Sequence, residues 1–337
     1  MTTVTCAMAT YGRRSKVEES LAQFLLQDCP DKHLLILNSH PIPMHFEHRQ
    51  VVIVNEPEHR TLGHCRNRLL DLTESEIFVI YDDDDLRFPW FLSQGTDHLR
   101  SAAAWKPLRS WWFNGADGRF DLARNRMEAS IFWRTDQVRR HRFYEGNGNE
   151  SVALCDRLEV EMTDMGRWPG YCYVWGQGMW HASGTIGDGK PEAQRADEWK
   201  RMNNDARSGS LVPNFDAVES WYCRFARSLG ERIIAASGCW DLLHDGHVYT
   251  LRWAKQQGDA LVVLANDDDG VAVQKGIGRP VQTLADRIRQ LQHLEFVDFV
   301  IVVRGKDDSS ILKKLEPYAV VKGPDYRGCH VAARALF

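Results

Sequence analysis

The chain has 337 residues, 43% of them hydrophobic and 26% charged, a soluble globular profile too long for one ordinary core. A formal net charge of −4 excludes a global nucleic-acid signature, and no apolar run is long enough for a membrane span or a signal peptide. The eight cysteines are scattered without a C-x-x-C pair, which fits free thiols in a reducing cytoplasm.

In chain order, residues 3–10 read as a first strand, and the turn Tyr11-Gly12-Arg13-Arg14 follows. Residues 17–26 have helical apolar spacing with Ser15 as the expected N-cap. Residues 34–37 and 51–54 read as strands, and residues 61–72 as a helix carrying Arg66 and Asn67. Residues 77–81 are five apolar residues in a row, a buried strand, and Asp82-Asp83-Asp84-Asp85 follow at once. In open α/β sheets ligands bind at that C-terminal edge. Adjacent carboxylates repel unless a cation or solvent neutralises them, and Mg²⁺ or Mn²⁺ bridges carboxylates to substrate phosphates. The alternative is a solvated acidic turn. An EF-hand is disfavoured, because Arg87 and Ser93 stand where its loop needs Gly and Glu. Strands alternating with helices predict a largely parallel, Rossmann-like sheet, but no G-x-G-x-x-G follows the first strand.

The segments M-A-T-Y-G-R-R, L-G-H-C-R-N-R-L-L, F-V-I-Y-D-D-D-D and F-P-W-F-L resemble family 2 glycosyltransferases of the A-type fold. The resemblance implies that Asp82 and Asp84 form a D-x-D element, with Asp84 the metal ligand and Asp83 or Asp82 on the donor ribose. It places Thr10, Tyr11, Arg13 and Arg66 at the donor. The family usually carries an Asp after the second strand to contact the base. Here that position is Asn38-Ser39, which leaves the donor nucleobase open. A bound Mn²⁺ or Mg²⁺ would neutralise the diphosphate leaving group.

Residues 127–133 read as a strand, and residues 151–158 as a helix after the loop 143–150. In the resembled family an acid closing this loop is the catalytic base. Glu150 is therefore the base candidate and Asp156 its reserve, while a helix-capping Glu150 is the alternative. His181 is a candidate metal or diphosphate ligand, or a structural His. Seven Arg against three acids between Arg119 and Arg142 mark either a solvated face or a patch for a phosphate-bearing acceptor.

Residues 186–230 are polar and loop-rich and read as a helical connector between domains 1–185 and 231–337. In the second domain, residues 233–237, 260–266 and 299–303 read as strands of another parallel α/β sheet and residues 319–326 as a fourth strand and its loop, with helices at 248–257 and 286–294. The motif G-C-W-D-L-L-H-D-G-H, with G-R-P-V-x-x-x-x-x-R and V-K-G-P-D-Y, resembles the cytidylyltransferase-like nucleotidyltransferases, in their sugar-phosphate and glycerol-phosphate branch. That implies His244 and His247 as catalytic groups at a helix N-terminus, stabilising charge on a phosphate. Gly238, Trp240, Asp241, Gly246, Lys275, Arg279, Lys322 and Asp325 would form the nucleotide pocket. Half a zinc site is the competing reading of His-x-x-His, but no Cys or His partner stands nearby. The superfamily's last strand and its Ser-Thr-Thr element are expected to be missing here, leaving this domain incomplete.

The sequence thus predicts a cytoplasmic α/β protein of two Rossmann-like domains, an A-type glycosyltransferase fold followed by an HxGH nucleotidyltransferase fold. The resemblance implies that the first inverts the anomeric carbon by direct displacement, moving sugar from a nucleoside diphosphate sugar to a glycan or other hydroxyl acceptor. The second would use CTP or ATP to activate a sugar or polyol phosphate. Three alternatives stand beside this: a second domain that is a non-catalytic dimerisation or docking module; a first domain that only binds glycan; and a hydroxymethylated base in viral DNA as acceptor. A homodimer is also expected under the first of these.

Overall fold

A computed structural model describes residues 3–58, 61–146, 151–175 and 205–322, together with the backbone of strand Ala335–Leu336. The chain divides into two compact units, Met1–Asn214 and Phe215–Phe337. The division falls inside the stretch that reads as a connector. Among the described residues no helix is long and apolar enough to cross a membrane, and the seven described cysteines are free thiols.

In the first unit the elements run β1 (Val4–Thr10), α1 (Arg14–Leu25), β2 (Lys32–Asn38), β3 (Val51–Asn55), α2 (Leu62–Leu72) and β4 (Ile77–Ile80). They continue with β5 (Leu86–Arg87), α3 (Phe91–Leu99), β6 (Ala104–Pro107), β7 (Arg109–Asn114), β8 (Arg119–Arg124), β9 (Phe132–Arg134), α4 (Thr135–His141), α5 (Val152–Arg157), β10 (Val160–Thr163) and β11 (Tyr171–Trp175). One sheet has the order β10-β6-β9-β4-β1-β2-β3, so β4 stands at its centre. β4 runs parallel to β1 and antiparallel to β9. All four β4 residues are buried, as an apolar run covered on both faces requires. A smaller sheet, β5-β11-β7-β8, lies beyond the acidic loop in sequence.

Two local expectations are corrected. Arg13, not Ser15, is the N-cap of α1, and the backbone N–H of Ser15 donates to Asp205 Oδ2 at 2.9 Å. The cap is supplied by a carboxylate distant in sequence, so no local cap signal was needed. Residues 127–133 are not one strand: Glu128–Ser130 form a 3₁₀ turn before β9. Asn125 and Ser130 cause the turn. Asn125 accepts from Met127 N at 3.0 Å and donates to Ser130 Oγ at 2.8 Å, while Ser130 Oγ donates to Met127 O at 2.7 Å.

The second unit contains α6 (Phe215–Arg227), β12 (Ile233–Gly238), α7 (Asp245–Lys255), β13 (Ala260–Asn266), α8 (Asp268–Lys275), α9 (Leu284–Gln292), β14 (Phe299–Val303), α10 (Ser309–Leu315), β15 (Ala319–Val321) and β16 (Ala335–Leu336). Its sheet, β14-β13-β12-β15-β16, is parallel throughout. β16 is a fifth strand, paired through Val320 with Ala335, where the sequence reading expected the last strand to be missing. Helix α6 belongs to this unit, with Tyr222 and Phe225 buried and the Phe225 ring 4.8 Å from Phe299.

Candidate active sites of the two units

The four aspartates after β4 separate by parity. Asp82 and Asp84 are partly exposed, whereas Asp83 and Asp85 are buried. The chain leaves β4 at Ile80 and turns at Asp83 and Asp84, and this turn presents two carboxylates outward and keeps two inside. Asp83 accepts from Thr10 Oγ1 at 2.8 Å and from Arg13 Nε at 3.2 Å, and Arg13 Nη2 also pairs with it. Arg13 Nη1 reaches Asp84 Oδ2 at 3.0 Å. Asp85 accepts from Tyr171 Oη at 2.6 Å and from Val174 N at 3.4 Å. Arg87, fully buried, donates to Asp82 O at 2.9 Å and lies 3.9 Å from the centre of the Tyr81 ring.

Two of the donor candidates lie inside the first unit. Asp83, one of two carboxylates considered for the ribose, is buried and bonded to Arg13 and Thr10. Asn38 is also inside: its amide donates to Ile42 O at 3.0 Å and Asn55 Oδ1 at 2.9 Å, and its oxygen accepts from His40 N at 3.1 Å. Tyr11 stays partly exposed, its ring edge-on to His40 at 5.0 Å. Arg66 joins the acidic loop to α5, donating to Ser151 Oγ at 3.1 Å and to Asp82 Oδ2 at 3.4 Å. Asn67 exchanges two hydrogen bonds with the backbone of Phe143, each 2.9 Å, which fixes the start of the loop ahead of α5. Asp156 is exposed on α5. Glu150 and His181 lie outside the described residues.

Among the described residues no group of three His, Cys, Asp or Glu is arranged to hold a metal ion. Asp82 and Asp84 alone fit a cation that arrives with a diphosphate, since Mg²⁺ keeps several waters and takes only one or two protein carboxylates beside substrate phosphates. At least four of the seven arginines in the arginine-rich stretch are engaged by neighbouring groups. Arg139 donates to Leu70 O at 3.4 Å and Arg142 to Asp71 Oδ2 at 3.1 Å, Arg119 pairs with Asp117 at 3.2 Å, and Arg140 pairs with Asp136 at 3.4 Å.

Burial pushes Asp83 up to about 6, with Asp84 adding to the rise against the pull of Arg13. Burial, then Asp84, pushes Asp85 up to about 8 against Arg87. Both groups bind protons more tightly in the folded chain than in the unfolded one. Their stability contribution is therefore complete below about pH 4 and is lost as pH rises through about 6 and about 8. In metal-free buffer the melting temperature should fall between about pH 5 and about pH 9, and Asp85→Asn should flatten the upper part of that fall. Thermal melts across pH check this; an identical slope in the variant would remove Asp85 as a source.

In the second unit β12 delivers the HxGH segment to the sheet edge. His244 is the N-cap of α7, its Nδ1 accepting from Gly246 N at 3.1 Å. The His244 and His247 rings stack at 3.9 Å, and Trp240 meets His247 edge-on at 5.3 Å. A Cβ at Gly246 would lie 3.0 Å from the His244 ring, a tight contact that would press the ring aside. Burial, with His244 and Lys275 nearby, lowers the pKa of His247. Asp241 is buried and accepts from Val281 N and Gln282 N, both at 3.0 Å, and pairs with Arg279 Nε at 3.0 Å. It thus fixes the G-R-P-V loop to the β12 edge. Gly238 lies under the Trp240 indole, whose N–H donates to Leu264 O at 3.0 Å. Lys275 is exposed at the end of α8, and Lys322 Nζ meets Asp308 Oδ2 at 3.2 Å. Asp325 lies outside the described residues.

Sequence reasoning passed over three groups. Asp308 also accepts from Ser237 Oγ. Arg287, the last residue of the quoted G-R-P-V motif, donates to Cys239 O at 2.6 Å, Asn266 O at 2.7 Å and Asp268 Oδ1 at 2.7 Å. Tyr171 holds Asp85 from a strand 86 residues away, a pairing no local pattern signals.

Residues 235–328 match the protein-family profile described as Cytidylyltransferase-like. The chain is 46% identical over 100 residues to the "Bifunctional protein HldE" of Methylococcus capsulatus, covering 30% of this chain and 21% of that protein. It is 34% identical over 145 residues to the protein of the same name from Sulfurimonas denitrificans, covering 43% of this chain and 30% of that one. The chain thus spans under a third of these relatives. Among solved structures it is similar to the lipopolysaccharide core biosynthesis protein from Thermoplasma volcanium, with 28% identity, 28% of this chain and 75% of that chain covered, and a TM-score of 0.26. It is also similar to S. aureus TarS 1-349 in complex with UDP-GlcNAc, with 12% identity, 68% of this chain and 80% of that chain covered, and a TM-score of 0.40.

Proposed function

We propose that the first unit is a metal-dependent, inverting glycosyltransferase of the A-type fold, moving a sugar from a nucleoside diphosphate sugar to a hydroxyl acceptor. The carrying observation is the split acidic loop at the centre of the larger sheet. Asp82 and Asp84 face outward while Arg13, Thr10 and Tyr171 hold Asp83 and Asp85 within. A loop that served only as a solvated turn would have no reason to bury half of its charge against an arginine. Asp84 and Asp82 would hold the Mn²⁺ or Mg²⁺, which supplies charge neutralisation for the departing diphosphate. The base at the acceptor would be Glu150, with Asp156 in reserve.

For the second unit the reading is nucleotidyl transfer from CTP or ATP to a sugar or polyol phosphate. The stacked histidines at the α7 N-terminus support it, because backbone N–H groups and imidazoles meet there where phosphate charge develops. One protein would then both activate a sugar and transfer it.

The test is a calorimetric binding screen against UDP-, CDP-, ADP-, GDP- and dTDP-sugars with Mn²⁺ present. At least one should bind only with the metal. Asp84→Asn should abolish that metal-dependent binding, because one ligating carboxylate is lost. Unchanged affinity in the variant would take Asp84 out of the site.

A further inference from the structure

The acidic loop is held from behind by a row of polar side chains that the donor chemistry does not use. Ser20, Gln23 and Gln27 recur at i, i+3 and i+7, on one face of α1 and the turn that follows it. All three are buried. Ser20 Oγ donates to Asp83 O at 3.1 Å, and Gln23 Nε2 to Asp85 O at 3.2 Å. Gln23 Oε1 accepts from Arg87 N at 2.7 Å. Gln27 Nε2 donates to Phe88 O at 3.0 Å, and its Oε1 accepts from Leu92 N at 3.1 Å. All of these bonds end on the main chain and not on a carboxylate.

Buried backbone groups need partners, and a loop leaving its sheet has no strand to supply them. Two glutamines are a demanding way to do so, since each loses side-chain entropy and must satisfy both ends of its amide. The result is rigidity at one place. Arg87 holds Asp82 O at 2.9 Å, so the carbonyls of Asp82, Asp83 and Asp85 are all tied to buried side chains, on both sides of Asp84. The backbone that carries Asp82 and Asp84 therefore resists the repulsion between their charges. A fixed pair of carboxylates also favours a small cation. Mg²⁺ demands near-ideal octahedral geometry at short distances, whereas Ca²⁺ accepts longer and less regular ones.

We propose that Ser20, Gln23 and Gln27 are positioning residues that make the acidic loop select a small divalent cation over Ca²⁺, an inference that rests on the reading of Asp82 and Asp84 as cation ligands. The row acts through the loop's backbone. A row that only stabilised the fold would, when weakened, lower the affinity for both cations alike. A row that fixes the spacing of the two carboxylates behaves differently. Its loss lowers Mg²⁺ affinity and leaves Ca²⁺ affinity nearly as it was, because the larger ion tolerates a looser site.

The experiment uses the full chain with UDP, CDP, ADP, GDP or dTDP, Mn²⁺ binding read by electron paramagnetic resonance, and Mg²⁺ and Ca²⁺ as competitors. Ser20→Ala and Gln23→Met remove bonds of the row. Val17→Ala, in the apolar core beside it, is the control for plain destabilisation. The unsubstituted chain should prefer Mg²⁺ to Ca²⁺. Gln23→Met should shrink that preference roughly tenfold and Ser20→Ala roughly threefold, while Val17→Ala leaves it unchanged. Hydrogen exchange in metal-free buffer is the second readout: the Arg87 amide should exchange roughly tenfold faster in Gln23→Met, and by a wider margin than in Val17→Ala. Equal losses of Mg²⁺ and Ca²⁺ affinity in the row variants, the same loss of preference in Val17→Ala, or an Arg87 amide unchanged in Gln23→Met overturns the proposal. If Gln23→Met does not fold, the Mg²⁺ to Ca²⁺ ratio in Ser20→Ala decides. An unsubstituted chain that binds no Mn²⁺ with any of the five nucleotides is a different result. It overturns the cation reading of Asp82 and Asp84 itself, and the exchange rates still decide whether α1 holds the loop.

Discussion

Replacing Arg287 by methionine should cost the second unit roughly 3–5 kcal/mol and abolish nucleotide binding at the HxGH segment. The guanidinium is fully buried, and its donors serve the carbonyls of Cys239 at the end of β12 and Asn266 at the end of β13. It also donates to Gln282 O at 3.3 Å, in the loop that Asp241 holds. Methionine matches much of the side-chain length but donates nothing, so three carbonyls lose their donor together. The Asp268 pair adds little, because that carboxylate is 48% exposed and is screened by solvent. A loss of this size is a large part of the ~5–15 kcal/mol that holds an ordinary domain. Lysine should recover little, since one ammonium cannot span acceptors on two strands and a loop. Urea unfolding followed by circular dichroism measures the first effect, and calorimetry with CTP and ATP the second. A midpoint change worth less than about 1 kcal/mol would show that the carbonyls find other partners.

The elements that the sequence made legible share one property: their pattern is local. β4, β13 and β14 are continuous apolar runs, and the bounds of β13 and β14 coincide with the expected 260–266 and 299–303. The HxGH segment was legible because spacing, glycine and helix start fall within ten residues. α3 was not, because its buried face is set by Gly95 lying against the Phe132 ring, a contact distant in sequence. β8 reads as an arginine-bearing surface stretch and becomes a strand only by pairing with β7. Within the acidic run, the division of Asp82 and Asp84 from Asp83 and Asp85 was not legible, because the run leaves β4 at Ile80 and turns at Asp83 and Asp84. What burial does to the inner pair was not available, since Tyr171 and Arg13 approach from other elements.

A first unit that ends at residue 185 should melt roughly 10 °C or more below one that ends at residue 214, or fail to fold. The reason is the segment 205–214, which lies along α1. Arg14 reads as half of an ordinary i, i+4 surface pair with Glu18, at 3.0 Å, yet both residues are buried. The segment does the burying: Arg14 donates to Arg207 O at 3.1 Å, to Gly209 O at 2.9 Å and to Ser210 O. Glu18 accepts from Val212 N at 3.1 Å, and its backbone carbonyl from Asn214 N at 2.9 Å. Leu211 fills the core at 3% exposure, and its N–H donates to His45 O at 2.8 Å. At the other end Asp205 caps α1 beside Gly12, next to the loop that carries Arg13. Removing the segment uncovers an apolar pocket, strips the partners from Arg14 and leaves the helix behind Arg13 without its cap. A Leu211→Asp substitution in the full chain separates this from any effect of cutting. Burying that carboxylate without a partner should lower the first unit's stability by roughly 3–5 kcal/mol, and donor affinity should fall with it because Arg13 loses its support. Scanning calorimetry of both fragments and the substituted chain decides the matter: equal melting temperatures for the two fragments would show that α1 holds its buried ion pair unaided.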